Sequence, residues 1–138
     1  MSELPSIPPG SNVMGVGIDQ IEVARIRDSL EKHGAHFLDK IFSPTEQTYC
    51  REKAEPAPHL AARFAAKEAV SKALGTGFGK EFGWLDSEVV NGDEGQPILR
   101  FSEKGRALLE KKGATEALVS LTHLESIASS IVVLVSSS

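Results

Sequence analysis

The stretch RFAAKEAVSKALGTG, Arg63 to Gly77, reads as the latter part of a helix followed by its stop, within a helical run from about His59 to Leu74. Projected at about 100° per residue, Ala62, Ala66, Ala69, Val70 and Ala73 fall on one narrow stripe of small side chains, suited to close packing against a neighbour. The opposite side collects Ala61, Phe64, Ala65, Glu68, Ser71, Lys72 and Gly75, so an acid, a hydroxyl and a base leave the packing seam together, while Lys67 falls off that cluster. Glu68 and Lys72 stand four residues apart in the favourable order, a pattern that by itself supports a helix by a few tenths of a kcal/mol, roughly, and need do nothing more. Gly75-Thr76-Gly77-Phe78-Gly79 then has two readings. Glycines end helices, and a glycine-rich loop can also turn backbone amides and the Thr76 hydroxyl toward a phosphate. The loop lacks the full spacing of a P-loop or a dinucleotide fingerprint.

Working outward, Pro56 and Pro58 each disfavour the helical state in the residue before them, so an earlier helix should end near Lys53. That helix begins at Ser43-Pro44-Thr45-Glu46, which supplies a cap, a proline suited to the first helical position and a glutamate that completes a capping box. Val13 to Asp19 alternates as a strand, with Met14, Val16 and Ile18 on one side and Gly15, Gly17 and Asp19 on the other. The glycines remove bulk from the acid's face and let a ligand or another backbone approach. A short helix follows, with Val23, Ile26 and Leu30 inward and Gly34 as its stop.

Downstream, Ser87 to Asn91 and Gln96 to Phe101 flank Gly92-Asp93-Glu94-Gly95 as a hairpin with a four-residue loop. Ser102 caps a further helix that ends at Gly113, and Ala117 to Thr122 and Ile127 to Val135 are rich in strand formers. No internal repeat occurs at solenoid periods. Helices and strands alternate irregularly, which predicts an α+β fold with a mainly antiparallel sheet packed with helices.

A chain of 138 residues is the size of one ordinary domain. The expected division is a flexible N-terminal extension at 1–12, holding Pro5, Pro8, Pro9 and Gly10, a single domain at 13–135 and a tail at 136–138. The formal net charge of -4 offers nucleic acid no sequence-independent attraction. Cys50 is the sole cysteine, so it forms no intramolecular bridge or cysteine-rich zinc site, and it reads as a small semi-buried helix residue in a reducing compartment. The N-terminus lacks the basic start and apolar run of a secretory signal. The longest apolar run near the other end, Ile131 to Val135, is far below the roughly 20 residues that span a bilayer, so a soluble, cytoplasmic protein without membrane contact is expected.

Together, GVGIDQIEVARI, FSPTEQ, RFAAKEAVSKALGTG, the GQP of the hairpin and VSLTHLESIASSIVVL resemble, in order and spacing, the holo-[acyl-carrier-protein] synthase family, the group I phosphopantetheinyl transferases. The likeness spans about Val13 to Val135, and the long helix is its most specific element. The resemblance implies the 4'-phosphopantetheinyl transferase-like fold. It also implies a Mg²⁺-dependent enzyme that moves 4'-phosphopantetheine from coenzyme A to a serine of apo acyl carrier protein, releasing adenosine 3',5'-bisphosphate, in fatty acid or related polyketide biosynthesis. By the same likeness Asp19 and Glu68 hold Mg²⁺ against the pyrophosphate, a task that suits hard carboxylate oxygens.

Glu68 and Lys72 are the implied catalytic residues, Lys72 holding phosphate charge and Glu68 orienting or deprotonating the attacking serine. Arg63, Ser71, Lys72, Gly75, Thr76, Gly77 and His123 align with positions lining the coenzyme A site, and Arg25 with a basic position that meets the carrier protein. Outside this context His123 is a surface histidine at a strand end and Arg25 a solvated arginine. The resemblance further implies a homotrimer with each site at a subunit interface. Gln20, where the family commonly has an apolar residue, and the long segment before Val13 depart from its pattern.

Overall fold

The computed structural model describes residues 4–137; Met1 to Glu3 of the expected extension and Ser138 of the expected tail lie outside the described residues. In chain order the elements are β1 (Val13–Glu22), α1 (Val23–His33), α2 (Ala35–Ile41), α3 (Pro44–Arg51), α4 (Pro56–Leu74), a 3₁₀ turn (Trp84–Asp86), β2 (Ser87–Asn91), β3 (Pro97–Phe101), α5 (Glu103–Lys111), β4 (Glu116–His123) and β5 (Ile127–Val135). One sheet has the order β1-β5-β4, the other is the β2-β3 hairpin, and every pairing is antiparallel. This is the α+β arrangement expected from the sequence.

Local signals account for most boundaries. The Ser43 side chain accepts from Glu46 N–H at 3.2 Å, and Glu46 Oε1 accepts from Ser43 N–H at 3.0 Å, closing the capping box that starts α3. Ser102 accepts from Gly105 N–H at 3.0 Å to start α5. The long helix begins earlier than expected, at Pro56, with Pro58 also inside it. Both prolines lie in the first turn, where their missing N–H groups have no helical acceptor to lose. Neither α2 nor the 3₁₀ turn is visible in the sequence, being too short to show a hydrophobic period.

Helix α4 crosses the inner face of the three-stranded sheet, and the glycine face of β1 is what it crosses. Gly15 and Gly17 are buried, and a Cβ on Gly17 would collide with the Ala69 carbonyl oxygen, one on Gly15 with that of Ala73. The partner admitted by these glycines is therefore the backbone of α4. The side holding Val16 and Ile18 faces outward, with Ile18 45% exposed.

The small-residue stripe is too narrow a description of α4. Ala61 and Ala65 are completely buried, as are Ala66, Ala69 and Val70, and Arg63, Lys67 and Ser71 are buried too, whereas Ala73 is only half-buried. The sheet covers one side of the helix while α1, α3 and β2 press on others, so no single seam describes it. What stays accessible in its middle is a strip of half-buried residues at four-residue spacing, Phe64, Glu68 and Lys72. Ser71 does not share that strip.

A buried ion pair ties these parts together. Lys67 Nζ lies 3.0 Å from Glu46 Oε1, with both side chains 0% exposed. It donates to the Trp84 carbonyl at 2.9 Å and to the Ser87 carbonyl, while Glu46 Oε2 accepts from Val89 N–H at 2.8 Å. One lysine and the capping-box glutamate thus lock α3, α4 and β2. Burial lowers the Lys67 pKa, and the Glu46 carboxylate opposes that shift.

Candidate active site

Asp19 leaves β1 opposite Ser130 of β5. Lys72 Nζ meets Asp19 Oδ1 at 2.8 Å and donates to the Ile18 carbonyl at 3.0 Å, with side-chain exposures of 22% for Lys72 and 17% for Asp19. The cation four residues after Glu68 therefore reaches across the fold to an acid 53 positions away and does more than support its own helix. Glu68 belongs to the same group. Burial raises its pKa, the nearby Asp19 charge raises it further, and Lys72 and Arg25 act in the opposite direction. Arg25, exposed on α1, thus faces this acidic group.

Among the described residues no group of three or more His, Cys, Asp or Glu side chains could hold a metal by itself. Two carboxylates are the donor set here, and Mg²⁺ is held in this way in phosphate-handling sites, through one or two carboxylates with the remaining positions left to water and substrate oxygens. The residues present fit that ion.

The glycine-rich loop follows directly, and its amides are engaged. Gly75, Thr76 and Gly77 N–H all point at the Ser71 carbonyl oxygen, at 3.0, 3.2 and 3.4 Å, and the Thr76 hydroxyl donates to the Gly77 carbonyl at 2.8 Å. Gly75 takes φ 79°, a left-handed cap that satisfies the helix end. Of the two readings of this loop, the helix stop is the one these three amides realise. Ser71 Oγ donates to the Glu68 carbonyl at 2.7 Å and is turned into its own helix. Beside the loop opens a cleft of about 540 Å³ bordered by Lys80, Lys111 and Lys112.

Arg63 and His123 lie elsewhere. Arg63 precedes Lys72 by nine residues, about 13 Å along the helix axis. His123 ends β4, paired with Ala128 of β5; the sheet order puts a whole strand between β4 and β1, a separation of roughly 10 Å. The His123 ring stands 4.8 Å from that of His59, beside a second cleft of about 400 Å³. The fold brings Asp19, Glu68, Lys72 and Arg25 into one group and leaves Arg63 and His123 in another. Tyr49 and His59, which join the second group, carry no signal of their own in the sequence.

Residues 15–125 match the family model described as the 4'-phosphopantetheinyl transferase superfamily, a span that includes both groups. The chain belongs to this superfamily. Among curated relatives, the holo-[acyl-carrier-protein] synthase of Syntrophus aciditrophicus is 45% identical over 122 residues, covering 88% of this chain and 95% of the relative. That of Protochlamydia amoebophila is 44% identical over 110 residues, covering 80% and 88%. Among solved structures, the Helicobacter pylori holo-[acyl-carrier-protein] synthase in complex with coenzyme A aligns with a TM-score of 0.77 at 30% identity, over 86% of this chain and 98% of that one. The Bacillus anthracis synthase in complex with CoA (3',5'-ADP) aligns with a TM-score of 0.74 at 38% identity, over 91% and 98%. These two solved synthases thus share the α+β frame over most of this chain.

Proposed function

We propose that this chain is a holo-[acyl-carrier-protein] synthase, transferring 4'-phosphopantetheine from coenzyme A to a serine of apo acyl carrier protein and releasing adenosine 3',5'-bisphosphate. The observation that carries the reading is the convergence of Asp19, Glu68 and Lys72 on one accessible strip, from β1 and α4, in a chain whose curated relatives bear that name.

In the reaction the serine oxygen forms a bond to the phosphorus carrying the pantetheine arm. The phosphoanhydride bond to the bridging oxygen breaks, its electron pair leaves with adenosine 3',5'-bisphosphate, and the serine proton passes to Glu68. In the metal-free chain, burial and the Asp19 charge raise the Glu68 pKa. Lys72 holds negative charge on the phosphates. Asp19 and Glu68 would hold Mg²⁺, which when bound neutralises charge on the pyrophosphate and its leaving oxygen.

Arg63 and His123 serve the coenzyme A site in this reading, with Gly75, Thr76 and Gly77 shaping the helix end beside it and Ser71 bracing that end from inside. Arg25, exposed beside Glu68, meets the carrier protein and aids encounter and register. The working assembly is a homotrimer with sites at subunit interfaces. Two features support this: the outer sheet face exposes Ile18 (45%), Leu118 (53%) and Ile131 (41%), an apolar patch suited to a second copy, and one chain keeps Arg63 and His123 away from the carboxylates. Residues 13–135 act as a single domain. Among the described residues no helix is long and apolar enough to cross a membrane, and the assigned place of work is the cytoplasm, in fatty acid or related polyketide synthesis.

The test is incubation with Mg²⁺, coenzyme A and an apo carrier protein, followed by mass measurement of the carrier. A phosphopantetheine gain on the serine is the expected result. No gain across several carriers, or coenzyme A breakdown in their absence, would overturn it.

A further inference from the structure

Arg63 is an electrostatic anomaly. It is only 3% exposed, and among the described residues no carboxylate lies within ion-pair distance of it. Its guanidinium donates to the His59 carbonyl at 3.3 Å and to Asn91 Oδ1 at 3.1 Å, while Nε is buried without an acceptor. A buried cation left without a counter-charge is costly, so such a group normally has an anion to meet.

What surrounds it is a ladder of rings. The Arg63 guanidinium carbon sits 4.3 Å from the Tyr49 ring centroid, and Lys53 Nζ sits 4.4 Å from the same centroid. Tyr49 meets His59 edge-on at 6.3 Å, and His59 meets His123 edge-on at 4.8 Å, with interplanar angles of 77° and 67°. Residues from α3, α4 and β4 are thereby joined into one continuous contact, with Lys53, His59 and His123 lining the 400 Å³ cleft. Edge-to-face and cation-over-ring contacts are directional, so they fix how a guanidinium and an imidazole are presented.

We propose that Tyr49 and His59 are positioning residues for the anion-binding part of this site, holding the His123 imidazole, which lines the cleft, and the buried Arg63 charge behind it in the arrangement that receives a phosphate of the nucleotide. This rests on the reading of Arg63 and His123 as coenzyme A residues and adds the two rings that set their geometry. His59 acts as a platform and not as a further cation: burial lowers its pKa, and the charges of His123, Arg63 and Lys53 lower it further.

The experiment uses the full chain and adenosine 3',5'-bisphosphate and coenzyme A as probes in calorimetry, alongside transfer kinetics. Tyr49→Leu and His59→Ala are each expected to weaken both probes about tenfold, the equivalent of one cation-over-ring or edge contact plus lost orientation. KM for coenzyme A should rise with kcat within about twofold, the mark of lost binding shared by ground and transition states. Tyr49→Phe and His59→Phe keep the rings and should restore affinity to within about threefold. In proton spectra, the His123 ring resonances should move in His59→Ala. Should the native chain bind neither probe nor transfer, the functional reading itself fails. Should it bind and transfer normally while Tyr49→Leu and His59→Ala bind within twofold of it, the positioning role is overturned and the functional reading stands. If Tyr49→Leu does not fold, the His59 pair decides by the same criteria.

Discussion

Helix α4 carries two lysine–carboxylate pairs only five residues apart, and they do opposite work. Lys67 and Glu46 are fully shut away at 3.0 Å, with Lys67 also held by the Trp84 and Ser87 carbonyls. Lys72 and Asp19 meet at 2.8 Å but remain 22% and 17% exposed on the open strip beside Glu68. In the first pair the lysine's donors are taken up by the fold, so it serves as a strut. In the second the charges stay within reach of water. Both are lysine–carboxylate pairs; burial is what separates the brace from the pair left open to solvent.

That contrast can be broken most forcefully at the brace. Glu46→Ala strands a buried Lys67 and removes acceptors from Ser43 and Val89 N–H, so chemical denaturation should show a loss of about 3–5 kcal/mol. A loss near zero would mean that the pair is not locked. Asp19→Ala should do the reverse. Transfer is expected to fall by a factor of about 10²–10³, the order seen when one charge-stabilising group leaves an active site, while stability stays within about 1 kcal/mol because the pair is partly solvated. Full activity in Asp19→Ala would remove it from the site.

Gly17→Ala lies between the two regions. Its new Cβ would strike the Ala69 carbonyl, pushing α4 from β1 at a cost of about 1–3 kcal/mol. Because Asp19 rides on β1 and Glu68 and Lys72 on α4, its transfer rate should drop further than its stability alone accounts for, in melts and kinetics run together. The smallest effect on stability belongs to Glu68→Gln. A carboxyl whose pKa is raised in the folded state binds its proton more readily there, so it lowers stability as pH climbs from the ordinary carboxylate range through the folded value. The variant should therefore melt slightly higher than the native chain at pH 7, lose that advantage near pH 4, and transfer poorly at both.

Much of this architecture is legible in the sequence because it is written in local chemistry. The Ser43–Glu46 box, the Ser102 cap, the glycine stops and the two hairpin strands, Ser87–Asn91 and Pro97–Phe101, each depend on neighbours a few residues away. The face holding Gly15, Gly17 and Asp19 is likewise readable from alternation alone. What covers it is not, since a glycine reports room for an approach and leaves open what approaches.

The sequence by itself determined the α+β class, the order of the elements other than α2 and the 3₁₀ turn, and a set of candidate residues, Asp19, Glu68, Lys72, Arg63 and His123 among them. Only the tertiary structure decided that Lys67 is buried and Lys72 is not, that the amides of Gly75, Thr76 and Gly77 serve the helix end, and that Arg63 and His123 stand apart from the carboxylates within one chain. The reason is physical: propensity, capping and periodicity act over a few residues, whereas burial and the pairing of charges depend on segments far apart in the chain, such as Asp19 and Lys72, 53 positions apart.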